Sequence, residues 1–161
     1  MLSPSLEDYL EEIYRFLDQQ GYVRTTDIAD KLDVSLPSVT KAVKKLSEKG
    51  YLDYQRYKNI QLTEKGKEVG NFLVTRNKLL RDFLSVIGSN CDKHKEAEAM
   101  EHYLSQETVD AITCLVEFFK QHPEYQQGFF DFQDKFMEAK SSQDNSQDDF
   151  SLLVKRYESL G

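Results

Sequence analysis

Apolar residues recur at the three-and-four spacing of an amphipathic helix through Leu6, Tyr9, Leu10, Ile13, Tyr14 and Leu17, and Ser5-Leu-Glu-Asp offers a cap before them. The pattern predicts a first helix that ends near Gly21. Thr25 or Thr26 then caps a short second helix through Ile28, Ala29 and Leu32, and Ser35 with Pro37 opens a third through Val39, Val43 and Leu46. Gly50 stops it. The runs Tyr51-Leu-Asp-Tyr and Ile60-Gln-Leu-Thr favour strand, and the polar Gln55-Arg-Tyr-Lys-Asn between them predicts a hairpin.

From Thr63 a stripe of Val69, Phe72, Leu73, Leu79, Leu80 and Phe83 predicts one long connector helix to about Ile87, closed by Gly88. Beyond the break Ser89-Asn-Cys-Asp, further helices are expected at Lys93 to Leu104, Ser105 to Gln121 and Glu124 to Met137. The apolar set Leu115, Phe118, Phe119, Phe129, Phe130, Phe132 and Phe136 exceeds what three short helices can bury within one chain, so self-association is expected. Residues 140 to 149 read as a polar linker, and Phe150 to Leu160 as a last amphipathic helix. No internal repeat is evident.

The order helix, helix, turn, helix and two-stranded wing is that of a winged helix-turn-helix. Charge strengthens that reading. The chain of 161 residues has a net charge of -7, which by itself argues against a nucleic-acid partner. Residues 1 to 34 carry three cations against eight acids, whereas residues 35 to 67 carry eight cations against three acids. One basic island therefore lies on the third helix and the wing, between acidic flanks. Ser35, Pro37, Ser38 and Thr40 occupy the leading turn that would face base edges, unless Ser35 and Thr40 only cap and pack. Lys41, Lys44, Lys45, Arg56 and Lys58 follow as expected phosphate contacts.

No apolar run approaches the roughly 20 residues that cross a bilayer, and the acidic start does not resemble a signal peptide. Two cysteines, Cys91 and Cys114, form no disulfide framework. A cytoplasmic protein is expected, without a membrane partner.

Asp8 and Glu11 lie three apart on the first helix, which puts both carboxylates on one face. Glu98, Glu101 and His102 repeat the device within a segment that otherwise reads as packed. Hard oxygen donors with one imidazole suit Mn²⁺ or Fe²⁺, and several carboxylates could bridge two ions. A hydrolytic metal site would use similar ligands. The sequence has no Ser/His/Asp nucleophile pattern, no Gly-rich phosphate loop and no H-E-x-x-H, so a regulatory ion is favoured over an enzyme with a small-molecule substrate.

The segments Pro4-Ser-Leu-Glu-Asp-Tyr-Leu-Glu-Glu-Ile-Tyr, Thr26-Asp-Ile-Ala, Pro37-Ser-Val-Thr-Lys, Leu62-Thr-Glu-Lys-Gly and Glu98-Ala-Met-Glu-His-Tyr-Leu-Ser carry a family likeness. Over about residues 3 to 138 the chain resembles the manganese-transport-regulator branch of the diphtheria toxin repressor-like metalloregulators. The resemblance implies a mainly α fold, with an N-terminal winged helix-turn-helix over residues 1–70 and a connector and all-helical dimerisation domain over 71–138. Residues 139–161 are expected to be a polar linker and C-terminal helix, with no room expected for the SH3-like third domain of longer members.

It further implies a homodimer that represses manganese-uptake genes by binding a palindromic double-stranded operator when metal is present. The implied cofactor is Mn²⁺, one or two per subunit, with Fe²⁺, Zn²⁺ or Cd²⁺ as substitutes. Its ligands map to Asp8, Glu11, Glu98, Glu101 and His102, while Asn77 stands where a histidine is expected. A carboxamide ligates weakly, so one of two ions would bind loosely or be lost, and a winged-helix regulator with weakened metal response is the alternative. His94 sits where the iron-responsive branch has an ancillary ligand, but with Asn77 and Arg81 as its companions it reads as exposed. His122 reads as structural.

Overall fold

The computed structural model describes residues 2–54 and 59–142. It is mainly helical, with one small antiparallel sheet among the described residues. Helix α1 spans Pro4–Gln20, α2 Thr25–Leu32 and α3 Leu36–Glu48. Strands β1, Leu52–Asp53, and β2, Gln61–Leu62, pair with Leu52 opposite Leu62. Helix α4 is Glu64–Val86, α5 Lys93–Glu101, α6 Gln106–Gln121 and α7 Pro123–Ser142.

Local chemistry accounts for most boundaries. Ser35 opens α3 by accepting the Ser38 N–H, Thr63 opens α4 by accepting the Gly66 N–H, and Asp92 opens α5 by accepting the N–H groups of His94 and Lys95. Gly21 closes α1 in the left-handed region, φ +76°. Four expectations shift. Ser3, not Ser5, stands at the cap of α1, because Pro4 is preorganised for the first helical turn. Arg24, not a threonine, precedes α2, and Asp27 accepts its backbone N–H. Helix α5 stops at Glu101 instead of Leu104, because Ser105 caps α6 and residues 102–104 form the turn into it. Helix α7 continues through residues 140–142, the first three of the expected linker. The rest of that linker and the expected last helix lie outside the described residues.

Two hydrophobic cores share one helix. The first gathers Leu10 and Ile13 of α1, Ile28 of α2, Val39, Val43 and Leu46 of α3, and Leu73 of α4. Burial of each such side chain contributes about 1.5–3 kcal/mol. The second gathers Leu80 and Leu84 of α4, Ala97 of α5, and Ile112, Val116 and Phe119 of α6. Helix α4 is therefore a spine between the two cores, and α1 and α5 lie against it. Among the described residues no helix is long and apolar enough to cross a membrane.

Candidate functional site

On α1, Asp8, Glu11, Glu12 and Arg15 recur at helical spacing and share one face. That face meets Asn77 of α4 and the side of α5 that carries His94, Glu98 and Glu101. These residues, with Lys31 and Leu32 of α2, line a cavity of about 430 Å³. The close approach of α1 to α4 depends on Gly70, where an added Cβ would fall 2.7 Å from the Tyr14 side chain.

Donor atoms of Asp8, Glu101 and His102 lie within 4.8 Å of one another. His102 Nε2 is 3.0 Å from Asp8 Oδ1 and 3.8 Å from Glu101 Oε1. Glu101 is 2% exposed, and its Oε2 accepts the Asn77 Nδ2–H at 3.1 Å. Burial, reinforced by the negative charge of Glu11, pushes the Glu101 carboxyl up to about 7. Burial likewise raises Asp8, although His102 pulls it back. Of the six expected ligands, then, three form a tight cluster. Glu11 and Glu98 line the same cavity outside it, and Asn77 lines it while hydrogen-bonded to Glu101. Glu98 is exposed, as is His94.

Several participants escaped sequence reading. Glu7 Oε2 lies 3.2 Å from His102 Nδ1 and 2.9 Å from the Arg76 guanidinium, so a second carboxylate holds the far side of the ring. Arg15 bonds Glu11 Oε1 and approaches Glu12 Oε1 at 3.5 Å. Its position four residues after Glu11 was a legible signal. The contacts of Glu7 join α1 to α4 and to the end of α5, and no local spacing reports them.

The donor chemistry fits a divalent cation. Carboxylates dominate, one imidazole joins them, and no thiol is near, a set that matches Mn²⁺ or Fe²⁺. Burial disfavours the ionised carboxylates in the absence of a counter-charge, and a cation would restore their charged form.

At the other end of the first core, Ser35, Pro37, Ser38, Lys41, Lys44 and Lys45 are exposed along one side of α3, and Thr40 is half-buried. Ser35 and Thr40 also have local roles. The Ser35 hydroxyl lies 2.9 Å from that of Ser38, and the Thr40 hydroxyl donates to the Leu36 carbonyl at 3.0 Å. Leu36 is 47% exposed at the tip of the helix, an apolar group the sequence reading passed over. Arg56 and Lys58 lie outside the described residues.

The aromatic set divides. Phe119, Phe129 and Phe130 turn inward toward the second core and Gly88. Leu115, Phe118, Phe132 and Phe136 remain exposed on α6 and α7, with Tyr125 and Met137 beside them. His122 caps the end of α6, its ring tilted against Phe118 with centroids 4.9 Å apart, and lies 3.4 Å from Glu124.

Residues 1–60 match the family model "Iron dependent repressor, N-terminal DNA binding domain", and residues 63–129 match "Iron dependent repressor, metal binding and dimerisation domain". The chain belongs to the iron-dependent repressor family. The two matched segments meet just before α4, whereas the two cores divide within that helix, between Leu73 and Leu80. The HTH-type transcriptional regulator MntR of Shouchella clausii (strain KSM-K16) is 45% identical over 124 residues, which cover 76% of this chain and 86% of that protein. The solved structure of the manganese regulator SloR superposes with a TM-score of 0.64 at 28% identity, covering 73% of this chain and 55% of that one. A manganese-dependent transcriptional repressor in complex with manganese gives a TM-score of 0.64 at 28% identity, covering 70% and 53%. The chain thus spans about half the length of these two solved structures. Members of the iron-dependent repressor family are transcriptional regulators, not enzymes, which sets aside the hydrolase reading.

Proposed function

We propose that this chain is a metal-dependent transcriptional repressor whose DNA-binding state is set at the cavity between α1 and α5, with Mn²⁺ as the working ion. The observation that carries the reading is the 3.0 Å approach of Asp8 Oδ1 to His102 Nε2. Asp8 belongs to the DNA-binding unit and His102 to the metal-binding and dimerisation unit. A group held by both therefore fixes one unit against the other. When bound, a divalent cation supplies the positive charge that this carboxylate cluster lacks. Asp8, Glu101 and His102 would hold it, with Glu11, Glu98 and Asn77 within the same cavity. Glu7 keeps the His102 ring turned so that Nε2 faces Asp8 and Glu101.

The DNA contacts belong to α3. Ser35, Pro37, Ser38 and Thr40 present the leading turn to the major groove, Leu36 offers an apolar contact of the kind that recognises thymine methyls, and Lys41, Lys44 and Lys45 neutralise phosphates. The wing would add Arg56 and Lys58. A homodimer, joined through the exposed aromatic face of α6 and α7, would present two such helices to a palindromic operator in the cytoplasm. The proposed unit boundaries are residues 1–70, 71–138 and 139–161.

The test begins with duplexes selected from a random pool in the presence of MnCl₂, followed by fluorescence anisotropy with Mn²⁺ or with chelator. Binding at least about tenfold tighter with Mn²⁺, equivalent to about 1.4 kcal/mol of coupling, is expected. The selected sequences should be palindromic. Glu101→Ala and His102→Ala should abolish the metal response while circular dichroism and dimer mass stay unchanged. Equal affinity in metal and in chelator would overturn the reading.

A further inference from the structure

The cavity wall carries a second, separately balanced charge group. Glu11 and Glu12 both face Arg15, whose guanidinium bonds Glu11 Oε1 and whose Nε lies 3.5 Å from Glu12 Oε1. The Glu11 and Arg15 side chains are 5% and 24% exposed, so this is a charge pair within the cavity wall and not a solvated helix face. Across the cavity, Asn77 directs its amide N–H to Glu101 Oε2 at 3.1 Å. The tight donor cluster, Asp8, Glu101 and His102, does not include Glu11.

We propose that Arg15 is a built-in counter-cation that fills the Glu11 and Glu12 side of the cavity, so that the site takes one divalent ion per protomer and not two. The inference rests on the metal-dependent reading above and assigns its stoichiometry. A guanidinium stays charged at every accessible pH, and its planar donors match carboxylate oxygens better than an ammonium does. Spacings of four and three from Glu11 and Glu12 preset the pairing along α1. A second divalent ion at Glu11 would have to break a partly buried hydrogen-bonded ion pair and then stand beside the displaced guanidinium. Breaking such a pair leaves an uncompensated charge, which costs more than the intact pair contributes.

Asn77 does not reopen that space. An imidazole at position 77 would add a donor near Glu101, but Arg15 would still occupy Glu11. Both residues must therefore change before a second ion is held.

The full-length chain, dialysed against MnCl₂ alone, is read by elemental analysis and by electron paramagnetic resonance. Wild type is expected to hold one Mn²⁺ per protomer, and Asn77→His also one. Arg15→Met combined with Asn77→His is expected to hold two, with the line broadening of neighbouring Mn²⁺ ions. Two ions in wild type or in Asn77→His would overturn the inference while leaving the functional reading intact, as would one ion in the double variant. No bound Mn²⁺ in wild type would instead overturn the functional reading. Should the double variant fail to fold, the wild-type and Asn77→His measurements retain the power to refute.

Discussion

Glu101 shows what individual residues contribute. Its ordinary value of 4.5 rises to about 7 because burial and the nearby Glu11 both disfavour the carboxylate. A carboxyl that holds its proton more tightly when folded adds stability below pH 4.5, and that contribution is lost as the pH rises through 7. Asp8 and Glu12 shift in the same direction, also through burial. Urea denaturation of the metal-free protein should therefore show stability falling between pH 4.5 and 7, and Glu101→Gln should flatten that slope. An unchanged slope would show that the buried carboxyl is already ionised. The residue types and spacings of Asp8, Glu101 and His102 were readable in the sequence, because Asp8-x-x-Glu11 and Glu98-x-x-Glu101-His102 are local patterns. Glu7 and Arg76 were not. Their contacts join different elements, and each residue read alone is an ordinary charged side chain on a helix.

Among the elements, α4 has the greatest structural consequence. It carries Leu73 into the first core and Leu80 and Leu84 into the second, so its placement sets how far α1 lies from α5. Gly70 lets α1 approach, since a Cβ there would fall 2.7 Å from Tyr14. In a solvated helix Gly→Ala stabilises by about 1 kcal/mol. Here the clash reverses the sign, because the ring of Tyr14 and its backbone must shift, at about 1–3 kcal/mol. Gly70→Ala is expected to lower the melting temperature and weaken Mn²⁺ binding together, measured by calorimetry and metal titration. A rise in melting temperature with unchanged metal affinity would refute the close-packing account. Among the described residues helix existence was legible, because periodicity and caps are local. The end of α5 was not, since the decision between Glu101 and Leu104 turned on which turn Ser105 would start.

For the whole molecule, a net charge of -7 and DNA binding are compatible because the charge is segregated. Lys41, Lys44 and Lys45 are exposed together on α3. The acids that line the cavity gather at the interface of α1, α4 and α5. Lys41→Ala or Lys44→Ala should weaken binding to the selected duplex about equally across sequences and reduce the slope of log K against log salt by about 0.9 for each phosphate left without its lysine. The Mn²⁺ dependence should survive. An unchanged salt slope would place the phosphate contacts elsewhere. Helix order, the short hairpin, the basic island and both halves of the candidate ligand set follow from residue order alone, since each is a property of neighbours within a few turns. The meeting of those halves does not. Asp8 reaches His102, Arg15 rather than an open wall faces Glu11, and part of the aromatic set turns inward only because α4 holds two cores at one separation, and that separation is fixed by packing between distant side chains.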